Sequence, residues 1–315
     1  MQLTSSRSSE DRNRVVSGLS RAFTLILLIA AIACIPAAAD PVVQITQCGT
    51  VISQPGHYIV ANDLNCAAGP VAPTSSAANP LTAWGPLHNP LDGSTIVQPD
   101  PPSCSAADAI DIVSDHVDLD LDGHTITGCS RGFIGISVGT ASAGNAHVHI
   151  VGPGTITNFG VGVQFEQVSF SSVSEVTATG NFLDFLLISP SSSCLPACAA
   201  TKNDFQGNTA TNSFAGFVLI GANDNTLRDN NASNSAFGIL VFVGTGNDVR
   251  DNTATGNFGG IVLGFVFGFG DATDNDILHN TAQGNSIDLF DINPNCDSNT
   301  WKHNTFGTAN QACIN

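Results

Sequence analysis

One phrase recurs four times between residues 207 and 283: GNTATN at 207–212, DNNASN at 229–234, DNTAT at 251–255 and HNTAQ at 279–283. The asparagine that follows the first residue of each phrase recurs after 22, 22 and 28 residues. A second phrase repeats between them every 22 residues: GFVL at 216–219, GILV at 238–241 and GIVL at 260–263. A fixed period of this size, built from residues that favour strands, is the signature of a solenoid of short strands.

The repeat predicts a right-handed parallel β-helix in which each repeat forms one rung, stacked about 4.8 Å from the next. The recurrent asparagine is predicted to lie at a turn, where it tolerates unusual backbone angles and its amide bonds to the asparagines above and below. Alternation along each strand points every second side chain inward. The predicted inward columns are formed by Phe217, Leu219, Ile239, Val241, Ile261 and Leu263.

These phrases resemble the right-handed β-helix repeat proteins of the pectin-lyase-like superfamily, from about residue 44 to the end of the chain. The resemblance implies an all-β fold, a single-stranded right-handed parallel β-helix of the secreted bacterial type, with about seven to nine rungs. We predict one such domain over residues 40–315, acting as a monomer. The resemblance specifies architecture and leaves activity open, because one fold hosts many functions.

Residues 1–39 have the pattern of a secretory signal peptide. Four arginines precede an apolar run at 22–35, and Ala37 and Ala39 form the small-residue pattern of a cleavage site. The apolar run is short for a membrane span, so we expect no stable span after cleavage. An uncleaved anchor and a lipoprotein site at Cys34 are the alternatives. The leader predicts a secreted protein, either extracellular or periplasmic.

The chain is strongly acidic, with a formal net charge of −17. Cleavage of the leader would remove four basic and two acidic residues and leave five basic and 24 acidic ones, a net charge of −19. Such a surface excludes nucleic acid as a partner. Eight cysteines would remain, and an even number in an oxidising compartment predicts disulfides. They are Cys48, Cys66, Cys104, Cys129, Cys194, Cys198, Cys296 and Cys313.

Both ends of the repeat region look like the caps of secreted β-helix proteins. Residues 48–66 resemble an opening rung that a bridge between Cys48 and Cys66 would close. Residues 290–315 resemble a last rung and a disulfide-closed C-terminal cap. Such caps hide the open ends of a solenoid from edge pairing. The sequence leaves the complete disulfide pairing open.

Three stretches interrupt the period. Residues 67–107 are rich in Pro, Ala and Ser and are predicted to form an inserted loop, with a functional arm as the alternative. Residues 189–200 contain Cys194 and Cys198 and are predicted to form a disulfide loop; a pair of metal thiolates is the alternative. Three phenylalanines among glycines at 264–270 are predicted to join the core, with an exposed contact loop as the alternative.

The phrase DLDLDG at 118–123 begins like a calcium-binding EF-hand loop. The twelfth position of such a loop would be Cys129, where the motif requires glutamate. Alternation of Leu119 and Leu121 instead predicts a strand that holds Asp118 and Asp120 on its outer side.

The catalytic candidates are two aspartates and two histidines. His147 and His149 alternate with Val148, so both imidazoles are predicted to face one way, within a rung or two of Asp118 and Asp120. Imidazole and carboxylate together could hold a divalent metal or perform acid–base chemistry. The alternative is a solvated polar face on an acidic strand.

The candidates for substrate binding are Arg228 and Arg250, which are 22 residues apart and therefore predicted to stack. They could bind a sugar carboxylate, or they could pair with nearby aspartates in a ladder of salt bridges. Asp271, Asp274 and Asp276 follow the phenylalanine-rich stretch and leave Ca²⁺ possible as a cofactor. Copper delivery, which relatives of the nitrous-oxide-reductase maturation type suggest, is disfavoured because the only methionine is Met1.

The leading functional prediction is a secreted protein that binds carbohydrate or polysaccharide along an outer sheet face. One alternative is a polysaccharide lyase, hydrolase or uronate epimerase that uses the Asp118/His147 region; another is a structural or adhesion module. The sequence contains neither the paired aspartates and Arg-x-Lys of polygalacturonases nor the Asp-Pro-His triplet of alginate epimerases. A concave face with clustered His, Asp and Arg would favour an enzyme, whereas a flat Ser/Thr/Asn face would favour binding or structure.

Overall fold

Each turn of the chain adds one short strand to each of three stacked columns. The computed structural model describes residues 41–66, 108–140, 144–189, 200–264 and 272–315, with the side chains of residues 130–132 left aside. The strands are β1 (Val43–Ile45), β2 (Thr50–Ile52), β3 (Gly56–Val60), β4 (Leu64–Asn65), β5 (Ile110–Ile112), β6 (Val117–Asp120), β7 (Thr125–Val138), β8 (Val148–Glu166), β9 (Ser172–Thr179), β10 (Leu183–Ile188), β11 (Asp204–Gln206), β12 (Thr209–Thr211), β13 (Ala215–Ile220), β14 (Thr226–Arg228), β15 (Asn231–Ser233), β16 (Phe237–Thr245), β17 (Asp248–Arg250), β18 (Thr253–Thr255), β19 (Gly259–Leu263), β20 (Ala272–Thr273), β21 (Asp276–Leu278), β22 (Thr281–Gln283), β23 (Ile287–Asp291), β24 (Thr300–Lys302) and β25 (Thr305–Phe306).

Parallel pairing between rungs defines the three columns. The first column stacks β1, β3, β6, the starts of β8 and β9, β11, β14, β17, β21 and β24. The second stacks β4, the start of β7, the middle of β8, the end of β9, β12, β15, β18, β22 and β25. The third stacks β2, β5, the ends of β7 and β8, β10, β13, β16, β19 and β23.

The chain is thus a right-handed parallel β-helix, as predicted. The first column contains ten strands in the described part of the chain, more than the seven to nine rungs expected. The expectation was too low because β1 and β3 form rungs ahead of the region where the sequence period is visible. A 3₁₀ turn, Pro294–Cys296, follows the last strand of the third column.

The predicted apolar columns are confirmed. Phe217 lies in register with Ile239, and Ile239 with Ile261. All three side chains are fully buried. Leu219 and Val241, which form a second inward row beside them, are also fully buried. Burial of these branched and aromatic side chains supplies the hydrophobic free energy that a coil of short strands needs, since each rung alone buries too little.

A ladder of buried asparagines marks the corner before the second column, also as predicted. Nδ2 of Asn208 donates to Oδ1 of Asn230 at 3.1 Å, and that of Asn230 to Asn252 at 3.0 Å. Nδ2 of Asn252 donates in turn to Asn280 at 3.0 Å. Each of the first three also donates its backbone N–H to the next asparagine side chain. The amide ladder therefore satisfies polar groups that burial would otherwise leave without partners.

One detail of that prediction is wrong: the asparagine does not itself adopt the unusual backbone angle. The positive φ falls on the residue before it, at Asp229 (57°), Asp251 (57°) and His279 (55°). That preceding residue makes the turn, which leaves the asparagine free to point its amide into the corner. Aspartate tolerates the left-handed conformation better than most residues.

Sequence reasoning missed a second ladder with the same period. It lies at the corner that precedes the first column and includes Asn203, Asn225 and Asn247, one per rung. Nδ2 of Asn203 donates to Oδ1 of Asn225 at 3.0 Å, and Nδ2 of Asn225 donates to Oδ1 of Asn247 at 3.2 Å. The row continues through Asn275 to Asn299. Its spacings of 22, 22 and 28 residues repeat those of the first ladder, so the signal was present in the sequence.

Disulfides close both ends of the described coil, as the resemblance implied. Cys48 is bonded to Cys66, and Cys296 to Cys313. Cys129 is also disulfide-bonded. The predictions for Cys104, Cys194 and Cys198 lie outside the described residues, together with the leader at 1–39, Cys34, the loop at 67–107 and most of 189–200 and 264–270.

Candidate functional site

The outer faces of the three columns differ in chemistry. The first face, formed by outward residues of the first column, is polar and charged. Its two rows are His57, Asp118, His149, Ser172, Asp204, Thr226, Asp248, Asp276 and Thr300, and Ile59, Asp120, Val151, Ser174, Gln206, Arg228, Arg250, Leu278 and Lys302.

The start of the first face contains two hydrogen-bonded pairs. Nδ1 of His57 lies 2.9 Å from Oδ2 of Asp118, and both side chains are about half exposed. Nδ1 of His149 lies 2.8 Å from Oγ of Ser172. Asp118 is in register with His57 on one side and with His149 on the other. The structure therefore brings Asp118 and His149 onto neighbouring strands, and adds His57, which sequence reasoning had assigned only to the opening rung.

His147 does not join them. It lies one residue before β8 with a positive φ of 58°, so it belongs to the corner and not to the strand that presents His149. Its ring contacts His116 and Phe170, with centroids 4.9 and 5.7 Å away. The expectation that both imidazoles face one way fails because strict alternation requires extended backbone on both sides of Val148.

Asp120 lies on the first face but points its carboxylate at the following turn. Its Oδ1 accepts the backbone N–H of Asp122 at 2.8 Å. Asp122 has a positive φ of 46°, so this bond helps to hold the chain as it leaves the strand. Asp118 and Asp120 therefore have different local roles, although they occupy one strand.

Arg228 and Arg250 stack in register on adjacent strands, as their spacing predicted. Arg228 makes a two-pronged contact with Asp204, from Nε to Oδ1 at 3.1 Å and from Nη2 to Oδ2 at 2.7 Å. This bond raises the pKa of the Arg228 guanidinium. Nη1 of Arg250 bonds to Oδ2 of Asp248. Each arginine thus has its own carboxylate, which is the salt-bridged ladder and not a free grip for a sugar carboxylate.

Desolvation raises the pKa of Asp248, and the carboxylates of Asp276 and Asp251 act in the same direction against the opposing effect of Arg250. Oδ1 of Asp248 is buried and has no hydrogen-bond partner among the described residues. Arg250 therefore neutralises only part of the negative charge that these aspartates place on this part of the first face.

The outward row of the third column, which we call the third face, changes from carboxylate to hydrocarbon side chains along the coil. Asp108 and Asp111 share a hydrogen bond, and burial followed by the nearby charge of Asp108 raises the pKa of Asp111 to about 6. Ser137 and Gln164 occupy the next two rungs. Beyond them an apolar row begins, and its members Leu186, Val218, Leu240 and Val262 belong to a second buried cluster outside the central core.

Asp184 is an ionisable group inside the coil that the sequence did not single out. Its side chain is fully buried, and its Oδ1 accepts a hydrogen bond of 2.8 Å from Nδ2 of Asn181. Its Oδ2 has no partner within the part of the chain that the structure describes. Burial raises the pKa of Asp184 to about 8. Glycine occupies the matching position in neighbouring rungs at Gly162 and Gly216, so Asp184 breaks the local repeat.

From β7 to β25, the outward strand residues of the second column form what we call the threonine face, and none of these described residues is charged. Its members are Thr125, Thr127, Thr155, Thr157, Thr177, Thr179, Thr209, Thr211, Asn231, Ser233, Thr253, Thr255, Thr281, Gln283 and Thr305. The side chains are partly or fully exposed. Oγ1 of Thr211 donates a hydrogen bond of 2.9 Å to Oγ1 of Thr179, its partner in register on the adjacent rung.

The fold, the disulfide-closed ends and these outer faces define an extracytoplasmic β-helix protein of the pectin-lyase-like class. The profile of the periplasmic copper-binding protein (NosD) family matches residues 122–312, more than half of the chain, and the chain belongs to that family. Its disulfides and this family confirm the predicted secreted or periplasmic location, since disulfides persist in oxidising compartments. Among the described residues, no helix is long and apolar enough to span a membrane.

No curated protein matches the chain. Solved structures similar to it include an alginate lyase from Paenibacillus sp. str. FPU-7, with 12% identity over 67% of this chain and 93% of that one and a TM-score of 0.44. Two tailspike mutants of E. coli bacteriophage HK620, each in complex with a pentasaccharide, are 14% and 15% identical over 64% of this chain and 45% of theirs, with TM-scores of 0.40. Likeness at this level is no evidence of a shared activity.

Proposed function

We propose that this protein binds a neutral polysaccharide along the first face. The observation that carries the proposal is the register of hydrogen-bonding side chains on that face from His57 to Lys302. Ten strands at about 4.8 Å give a face roughly 40 Å long, enough for several sugar units in a row. Half-exposed His, Ser, Thr, Gln and Asp side chains supply the donors and acceptors that sugar hydroxyls need.

The charge of the face supports a neutral polymer and not a polyuronate. Arg228 and Arg250 are paired with Asp204 and Asp248, so binding a sugar carboxylate would require breaking an existing ion pair. The surrounding protein carries a net charge of −17, which repels polyanions. Of the two alternatives for these arginines, the ion pairs support a role in holding the face together.

A glycan array followed by titration calorimetry tests this proposal, with neutral glucans, mannans and galactans beside alginate and polygalacturonate. His149→Ala should weaken binding by about tenfold, since it removes an imidazole that can hydrogen-bond a sugar hydroxyl and deprives Ser172 of its contact with that ring. His279→Ala is the matched control, because His279 is exposed at a corner and stacks on His303 with centroids 4.9 Å apart. Binding to polyuronates alone, or equal losses in both variants, would disprove the proposal.

A second candidate function is acid–base catalysis on a bound sugar at His57 and Asp118. The observation that favours it is their 2.9 Å contact on an exposed part of the first face, since such a pair can orient an imidazole as a general base. Release of reducing ends or of unsaturated sugars would show turnover. Asp118→Asn should abolish turnover while binding remains, whereas binding without turnover in the wild type would exclude this candidate.

The copper in the family's name does not fit the described donors. All described cysteines are in disulfides, and the only methionine is Met1. Within the described ranges, no group of three or more His, Cys, Asp or Glu side chains is placed to hold a metal ion. The same finding gives no support to a calcium site at Asp274 and Asp276. We therefore propose no step that passes through a metal, and binding assays should be run with and without chelator.

A further inference from the structure

We infer that the threonine face is a docking surface for ice. This inference goes beyond the proposed function, because it concerns the second column and a different partner. From β7 to β25, twelve of the fifteen outward side chains of the face are threonine, and the other three are Asn231, Ser233 and Gln283. Ahead of them, β4 contributes Asn65, which pairs with Thr127. The face is therefore uncharged on a protein whose net charge is −17.

Strand propensity alone does not explain this composition. All three columns consist of parallel strands with one side turned outward, so all three have the same local preference for β-branched residues. The first face, which is also exposed to solvent, nevertheless carries His, Asp and Arg, whereas the Leu and Val row of the third column is buried. Threonine is concentrated on one face only, which points to a requirement of that surface.

The face is also regular in two directions. Pairing from β12 through β15, β18 and β22 is one-to-one with no shift of register, so equivalent side chains repeat about every 4.8 Å along the coil. Outward residues two apart on one strand are separated by about 6.6 Å. The rung spacing is close to one repeat of water oxygens on the prism plane of hexagonal ice, and the side chains two apart on a strand give a second, perpendicular repeat.

The interior keeps those repeats uniform. The inward residue at the centre of the second-column strand is alanine in five successive rungs, including Ala210, Ala232 and Ala254, and all of them are buried. An identical small side chain beneath each rung gives equal support to each strand. A varied interior would instead tilt individual strands and disturb the array above them.

Threonine has the chemistry that an ice surface requires. Its hydroxyl both donates and accepts hydrogen bonds, as lattice water does, and its methyl group excludes disordered water from the spaces between. Branching at Cβ limits its rotamers, so little side-chain entropy is lost on docking. No aromatic side chain lies at any outward position of the face from Thr125 to Thr305, which disfavours stacking on sugar rings and separates this surface from a carbohydrate groove.

Inhibition of ice recrystallisation and thermal hysteresis test the inference on the purified mature chain. The wild type should inhibit recrystallisation. Thr211→Lys, at the centre of the face, should raise the protein concentration required by about tenfold, because it places a flexible charge in the array. Thr211→Val keeps the methyl spacing and should stay within about twofold of the wild type. Thr245→Lys is the matched control, since Thr245 is exposed at a corner off the face.

Circular dichroism and thermal unfolding of the two lysine variants establish that both are folded. Failure of the wild type to affect ice growth would overturn the inference, and so would equal losses in Thr211→Lys and Thr245→Lys. Retention on crystalline cellulose or chitin without activity on ice would also overturn it, and would assign the face to a polysaccharide surface. None of these results depends on the first face, so failure here leaves the proposed polysaccharide binding to be judged by its own assay.

Discussion

Nδ2 of Asn230 donates a hydrogen bond of 3.0 Å to Oδ1 of Asn252, one rung further along the coil. Oδ1 of Asn252 also accepts the backbone N–H of Asn230, and Nδ2 of Asn252 donates to the carbonyl oxygen of Leu227 at 2.9 Å. A single side chain thus satisfies polar groups of two neighbouring rungs in an interior that water does not reach. Removal of a member of the ladder leaves several buried groups without partners at once.

Asn252→Ala should therefore lower the free energy of unfolding by about 2–4 kcal/mol, as measured by urea denaturation. Asn231→Ala is the matched control, because Asn231 lies next to the ladder but points outward. The control should change stability by less than about 0.5 kcal/mol. Equal effects of the two substitutions would show that the ladder contributes little beyond strand packing.

Asp184 should make stability fall as the pH rises. Its folded-state pKa of about 8 lies well above 3.8, the ordinary pKa of an aspartate, so between these two pH values the folded state holds a proton that the unfolded state has released. The favourable contribution is complete below about pH 4 and is lost as the pH rises towards 8. Asp184→Asn should remove this dependence and raise the free energy of unfolding most at pH 8. Asp251→Asn, an exposed change of the same charge, controls for overall charge; a difference from wild type that does not vary with pH would contradict the assignment.

The carboxyl pair on the third face should titrate as a coupled unit. Burial is the larger cause of the raised pKa of Asp111, and the charge of Asp108 is the next. Asp108→Asn should therefore lower the pKa of Asp111 below about 6 but leave it above 3.8, as read from the carboxyl carbon shift in NMR titration. No change in that midpoint would mean that the two carboxyl groups do not interact in solution.

The two terminal disulfides should stabilise the coil locally. Each rung contacts its neighbours only, so loss of a cap should loosen the nearest rungs first. Cys296→Ala with Cys313→Ala should speed amide hydrogen exchange in β24 and β21 more than in β3. Cys48→Ala with Cys66→Ala serves as the mirror-image control and should speed exchange in β3 and β6. Uniform acceleration along the chain in either variant would contradict local capping.

Much of the architecture was accessible from the sequence because the period acts on every rung. The spacing of Asn208, Asn230 and Asn252 identified the repeat, and alternation around Phe217 and Ile239 identified the interior. The second ladder, which includes Asn225, was equally visible but was overlooked. In such a coil, residues one period apart are spatial neighbours, so a linear pattern translates directly into contacts.

The candidate site was less accessible, because side-chain direction depends on single backbone angles. A positive φ at His147 places it at a corner away from His149, although the two are only two residues apart. The contact between His57 and Asp118 joins residues that are far apart in the sequence, and no period reveals it. Arginine pairing was anticipated as one of two alternatives, and only the contacts with Asp204 and Asp248 decided between them.

By itself, therefore, the sequence determined that the chain winds into a parallel coil, which residues fill the coil and which asparagines bond along it. Tertiary structure decided which outward side chains pair with one another, which carboxyl groups interact and which ionisable groups are buried. The physical reason is that the buried apolar residues and the asparagine ladders recur with the period of the sequence. Charge interactions, desolvation and surface hydrogen bonds depend instead on which side chains meet across rungs of unequal length.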